Sequence, residues 1–140
     1  MAKQTKRDAN ATKRLSVAAA TGFPAVYLTA YYAAFVLADV KRGDVTLVHS
    51  AAGGVGSALC RLLANAGATV IGVVGAPHKR ASAQLAGATH VIDKSSENLW
   101  QRVDALAPAG FDSVFDANGI ETLQSGFQRL APAGRLIVYG

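Results

Sequence analysis

The 140-residue sequence predicts an α/β fold, a doubly wound parallel sheet in three layers with strand order 3-2-1-4-5. Three observations predict it. A β-branched run from Val45 to Val48 enters the glycine-rich turn Ala51-Ala52-Gly53-Gly54-Val55-Gly56, which opens directly into a helical pattern with apolar residues at Val55, Leu59, Leu62 and Leu63. Beyond that turn, strand and helix patterns alternate strictly to the end of the chain. The strand segments are nearly continuously apolar, as strands covered by helices on both faces must be.

Taken in order, the chain begins with a basic arm, residues 1–15. Lys3, Lys6, Arg7, Lys13 and Arg14 against Asp8 give it +4 of the chain's net +5. Without interleaved aromatic residues or a recognition motif it reads as a flexible, solvated tail rather than a nucleic-acid contact. Val17 to Ala38 then runs 22 residues without a charge, long enough to span a bilayer. Gly22-Phe23-Pro24 interrupts the run, and the helix that remains, Ala25 to Leu37, is too short to cross. Pro24 suits its first turn, where a missing N–H costs nothing. The layout is not that of a cleavable signal, so the expectation is a cytoplasmic protein without a membrane span.

After the glycine turn, Ala66-Gly67 closes the first helix and Thr69 to Val74 is the second strand. Lys79 to Leu85 is a short helix closed by Gly87, and Thr89 to Ile92 is the third strand. Glu97 to Ala107 is a helix starting at Ser95 or Ser96 and ended by Pro108-Ala109-Gly110. Asp112 to Asp116, Glu121 to Leu130, a turn at Pro132-Ala133-Gly134 and a last strand from Arg135 to Tyr139 complete the chain. With 51% hydrophobic residues, 16–140 has the mass for one domain with its own core. The lone Cys60 falls on the apolar face of the first helix after the turn and reads as a buried thiol.

The glycine turn carries the chemistry. Set against the dinucleotide fingerprint, its three glycine slots fall at Ala51, Gly53 and Gly56. Gly53 lets the backbone approach a pyrophosphate, and Gly56 lets the helix pack on the strand. The free amides of Gly54 and Val55, with the positive end of the helix dipole, can hold a diphosphate without a basic side chain. A site for NAD places an acid about 20 residues further on, to accept from the ribose 2′-hydroxyl. Here that stretch reads Val73-Val74-Gly75-Ala76-Pro77-His78-Lys79-Arg80, whose only fixed charges are positive. This favours NADP(H), the plainer alternative being that Lys79, Arg80 and Lys94 are ordinary surface charges.

Five segments in order, Leu28-Thr29-Ala30-Tyr31-Tyr32, Arg42-Gly43-Asp44, His49 to Gly56, Ala86-Gly87-Ala88 and Gly134-Arg135-Leu136-Ile137-Val138-Tyr139-Gly140, resemble the medium-chain dehydrogenase/reductase superfamily. Within it the similarity is greatest to the zinc-independent quinone oxidoreductases of ζ-crystallin type, and it covers residues 16–140. The resemblance implies a Rossmann-type domain, and the use of NADPH to reduce quinones or activated alkenes by hydride transfer. It implies cofactor contacts at Thr29, Ala52, Gly75 and Gly140, a phosphate-binding role for Lys79, and Lys94 where the family often has a tyrosine near the same phosphate. Asp116-Ala117-Asn118-Gly119 departs from the family's small apolar turn, and Asn118 is placed to reach a ribose hydroxyl or the nicotinamide.

The resemblance also implies a separate catalytic domain flanking this stretch, which is absent from the sequence. One cysteine and the scattered His49, His78 and His90 offer no zinc-ligand spacing. No Gly-x-Ser-x-Gly elbow or Walker lysine supports acyl or phosphoryl transfer. His49 is either a packed histidine or a base, and Asp116 either a structural or a catalytic carboxylate; no catalytic residue is assigned. Two functions stay open. One is the cofactor domain of an NADPH-dependent quinone or enoyl reductase. The other is a free-standing NADP(H)-binding module acting as a redox sensor or assembly partner. Family sheets have six strands, so five leave Leu136 to Tyr139 on an open edge, suited to a homodimer or to a missing catalytic-domain partner.

Overall fold

The computed structural model describes residues 23–140; the basic arm and the start of the uncharged run lie outside the described residues. The five strands are β1 (Val45–Val48), β2 (Thr69–Val74), β3 (His90–Asp93), β4 (Phe111–Asp116) and β5 (Leu130–Val138). They form one parallel sheet in the order β3-β2-β1-β4-β5, as expected. Among the described residues five α-helices flank it: α1 (Phe23–Tyr31), α2 (Gly54–Asn65), α3 (Arg80–Ala86), α4 (Leu99–Leu106) and α5 (Ile120–Gln128). No helix among the described residues is long and apolar enough to cross a membrane.

Because successive strand residues point to opposite faces, each strand feeds two cores. Val48, Val70, Val74, Phe115 and Ile137 pack with Leu59, Leu63 and Ala83 under α1, α2 and α3. Leu47, Ile71, Val73, Ile92, Val114 and Phe111 pack with Val103 of α4 on the other face. Gly126 brings α5 onto that second face, where a Cβ would already stand 3.3 Å from Val114. Cys60 is fully buried in the first core, and burial pushes its thiol up to about 12, an inert packing sulfur.

Three local expectations are corrected. The helix read as Ala25 to Leu37 is α-helical only to Tyr31; Tyr32–Leu37 is a π-helical segment, closed by Ala38 N–H donating to the Ala33 carbonyl at 2.9 Å. Arg135 donates from Nη1 to the Leu37 carbonyl at 2.8 Å and ties the end of that segment to β5. The helix expected from Ser95 or Ser96 starts later: Asn98 is its cap, accepting from Gln101 N–H at 3.1 Å. Both serine hydroxyls are instead taken by the Asp93 carboxylate. Pro132-Ala133-Gly134 lies within β5 as an excursion between two paired stretches. Phe111 pairs with Leu130 and Ser113 with Arg135, with Ala133 at φ +65° between them.

Candidate functional site

The carboxyl ends of β1, β2 and β3 converge beside the glycine turn. At the end of β1 the chain reverses at Ser50, which takes φ +53° although it is not a glycine. Its hydroxyl donates to Oδ1 of Asn118 at 3.1 Å, and its carbonyl accepts from the Gly53 amide at 2.9 Å. The helix α2 starts against this carbonyl. A Cβ on Gly56 would lie 1.9 Å from the Ser50 oxygen, so the third glycine slot admits no side chain. A Cβ on Gly53 would stand 3.3 Å from the same oxygen, a tight but less severe approach. Gly53 caps the helix with extended backbone and no side-chain bond. The first-turn amides of Gly54, Val55 and Gly56 have no intrahelical acceptor, as at any helix start, where an anion can be bound.

A cavity of about 180 Å³ opens next to this turn, lined by Ser50, Ala52, Gly53, Val73, Val74, Gly75, Lys79 and Lys94. The structure therefore brings Ala52, Gly53, Gly75, Lys79 and Lys94 together, from three separate stretches of sequence. Two exposed ammonium groups and no carboxylate line it, and Val73 and Val74 give it an apolar wall. Such a lining presents positive charge and an apolar wall and would repel no negative charge on a ligand. Lys94 is anchored from below, its amide donating to the Val74 carbonyl at 3.0 Å. Arg80 does not line the cavity; it pairs with Glu97. Ser50, Val73 and Val74 are lining residues that the sequence reading did not single out, and Ser50 left no signal beyond its place before the glycines.

Thr29, Asn118 and Gly140 lie elsewhere. Thr29 donates to the Ala25 carbonyl at 2.9 Å and lines a second, apolar groove of about 340 Å³ between the first helical segments and β5, with Leu28, Tyr32, Ile137 and Tyr139. Asn118 is bound to Ser50 at the rim, and Gly140 follows β5 with open space around its α-carbon.

On the opposite face of β1, His49 is fully buried, and neither ring nitrogen has a hydrogen-bond partner. Its Nε2 is 4.0 Å from Oδ2 of Asp116, and its ring meets Trp100 edge-on at 6.1 Å. Burial lowers its pKa below the usual 6.5, opposed by the Asp116 charge and assisted by Lys94, so the imidazole is neutral at pH 7. Asp116 accepts from the amides of Asn118 at 2.7 Å and Gly119 at 3.1 Å and from the Thr122 hydroxyl. Both residues are thus packed beneath the site. Tyr139 donates to the His49 carbonyl at 3.3 Å, and burial pushes its phenol up to about 12.

Among the described residues no three His, Cys, Asp or Glu side chains are grouped so as to hold a metal ion. Residues 54–140 match the family described as zinc-binding dehydrogenase. The chain is 36% identical over 114 residues to the 2-haloacrylate reductase of a Burkholderia species, covering 81% of this chain and 34% of that protein. A quinone oxidoreductase from Pseudomonas syringae superposes with a TM-score of 0.75 at 37% identity, over 81% of this chain and 35% of its own. A mycobacterial protein solved in complex with NADPH superposes equally well, TM-score 0.75 at 35% identity, over 82% of this chain and 36% of its own. The chain thus spans about a third of the length of these relatives.

Proposed function

This chain belongs to the zinc-binding dehydrogenase family, within the medium-chain dehydrogenase/reductase superfamily and its quinone oxidoreductase-like branch, and from that premise we propose that it is the NADP(H)-binding domain of a reductase. The observation that carries the proposal is the cavity beside Gly53, walled by Lys79 and Lys94 and free of any carboxylate. A dinucleotide fits these residues. The amides at the start of α2 would take the pyrophosphate, Val73, Val74 and Gly75 the adenosine, and the two lysines the 2′-phosphate. Bound there, the nicotinamide would supply a hydride.

The protein's own part is to bind and orient. It holds the diphosphate by backbone amides that need no rearrangement, discriminates by the two ammonium groups, and keeps the sheet ends rigid beneath the nucleotide. By this proposal the acceptor is a quinone or an activated alkene, held by polypeptide outside residues 23–140. The open edge of β5, where Val138 is 58% exposed, would be paired by a second copy or by further polypeptide of the reductase. Light scattering on the 140-residue chain separates these, since only self-pairing makes mass depend on concentration.

The direct test of the cofactor reading is equilibrium binding of NADPH and NADH at low salt. A charge-assisted contact to the 2′-phosphate is worth roughly 1.5–3 kcal/mol, so NADPH should bind at least about tenfold tighter. Equal affinities would reject the reading.

A further inference from the structure

Glu97 lies outside the cavity, yet it joins the two segments that carry the cavity's lysines. Its Oε2 accepts from the backbone amide of Asp93 at 2.9 Å and also from Nη2 of Arg80. Its Oε1 accepts from Nε of Arg102 on α4 at 3.0 Å. Arg80 is held from its other nitrogen as well, Nη1 donating to the Val91 carbonyl of β3 at 3.2 Å. One carboxylate is therefore bonded to the residue directly after Lys79 and to the residue directly before Lys94. Asp93 completes the clamp from within its own turn, taking Ser95 N–H at 3.0 Å, the Ser95 hydroxyl at 2.6 Å and the Ser96 hydroxyl at 3.0 Å.

The physical consequence concerns two long, exposed side chains. A lysine that must meet a phosphate loses rotamer freedom, and the loss grows if its backbone also has to be ordered. Holding the Asp93 backbone directly, and the segment of Lys79 through the Arg80 guanidinium, lowers that cost. The same ion pair gives Arg80 a partner away from the cavity, leaving recognition to two point charges instead of a guanidinium fork. The amide of Asp93 and the Arg80 guanidinium hold the Glu97 carboxyl below the usual carboxylate range, so the clamp is charged at neutral pH.

We propose that Glu97 is a positioning residue for phosphate recognition: acting through Arg80 and the Asp93 backbone, it sets the separation of Lys79 and Lys94 across the cavity and keeps Arg80 out of it. The proposal rests on the NADP(H) reading above and deepens it.

The test is titration of NADPH and NADH into the wild-type chain, Glu97→Gln, Arg80→Ala and the double variant, with thermal melting and circular dichroism on each. Glu97→Gln can still accept from Asp93 but loses the ion pair. It should weaken NADPH by about tenfold, the equivalent of one charge-assisted contact, and leave NADH within about twofold. Arg80→Ala severs the same link from the other end and should match that loss. The double variant should be no weaker than either single one, because the two act as one unit. Arg80→Ala keeps the proposal testable if Glu97→Gln does not fold. An unchanged preference for NADPH in the folded variants would overturn the proposal while leaving the cofactor reading intact. Equal loss of both nucleotides would overturn it as well, showing a merely structural role. Tighter NADPH binding by Glu97→Gln would overturn it too, since a released Arg80 would then be serving as a ligand. A wild-type chain without preference for NADPH would overturn both readings.

Discussion

The Cβ of Ala51 fills the space that a side chain on Gly72 would need: a Cβ built on Gly72 would lie 2.9 Å from it and 3.2 Å from that of Ala88. The first slot of the glycine motif thus holds alanine because the neighbouring strand holds glycine. Ala51 is fully buried, with its amide bonded to the Val73 carbonyl at 2.9 Å, so it cannot swing aside.

Gly72→Ala should accordingly destabilise the domain by about 1–3 kcal/mol through overpacking. Adding Ala51→Gly should return part of that loss, the Ala88 contact keeping the recovery incomplete. A double-mutant cycle in urea measures the coupling, and strictly additive effects would show that the two positions do not share this space.

The second and third glycine slots should respond unequally. Gly56→Ala sets a Cβ at 1.9 Å from the Ser50 carbonyl oxygen, a backbone atom that can move only if the turn is rebuilt. Gly53→Ala meets the same oxygen at 3.3 Å, within reach of a shift of a few tenths of an ångström. Gly56→Ala should therefore abolish nucleotide binding or folding, while Gly53→Ala should fold and bind more weakly. Melting temperatures with binding titrations decide it, and a well-folded, fully binding Gly56→Ala would refute the packing argument.

The sheet order was legible because each strand is a short apolar run separated from the next by a helix or a glycine stop, and parallel pairing admits few orders. Lys79 was legible because it stands in the stretch where an acid is missing, and Lys94 because of the resemblance; the fold brings both to one cavity. Longer-range features were not. Glu97 reads as the first residue of a helix, and nothing nearby shows that its carboxylate turns back to Arg80, 17 residues earlier. Ser95 and Ser96 have the composition of helix caps, but Asp93 competes for both hydroxyls and wins by proximity. Pro132-Ala133-Gly134 has turn composition, and only its pairing with β4 on either side makes it an excursion within a strand. Thr29 and Gly140 entered on resemblance to a longer protein and Asn118 as a departure from it, and none of the three lines the lysine cavity.

Removing either lysine should separate the two nucleotides. Lys79→Ala and Lys94→Ala should each weaken NADPH by about tenfold and change NADH little, for the loss of one charge-assisted contact. Raising salt from about 0.01 to 1 M shortens the screening length from about 30 to 3 Å, so the wild-type preference should narrow over that range. Parallel loss of NADH in these variants would place the lysines on a part of the ligand that both nucleotides share.

Buried, unpartnered His49 should make the domain less stable in mild acid. Its folded pKa lies below the unfolded value of 6.5, because burial disfavours the imidazolium more than Asp116 at 4.0 Å favours it. Below pH 6.5 the unfolded chain takes up a proton that the folded chain does not, so stability falls as pH falls, by at most about 1.4 kcal/mol per pH unit until the folded pKa is reached. The groups facing the imidazole are Asp116 from β4, Lys94 beyond β3 and the ring of Trp100 on α4. Asp93, Glu97 and Asp104 have lowered folded pKa values, so their contributions are present above the ordinary carboxylate range and are lost only at lower pH. The window from about pH 6.5 to 5 therefore belongs chiefly to His49. His49→Leu removes the group and should flatten the decline across that window, whatever it does to stability at pH 7. Urea midpoints at pH 7.0, 6.0 and 5.0 for the two proteins measure the slopes. Identical slopes would mean that the histidine binds its proton equally well folded and unfolded, and the pair with Asp116 would then have to be treated as an ion pair.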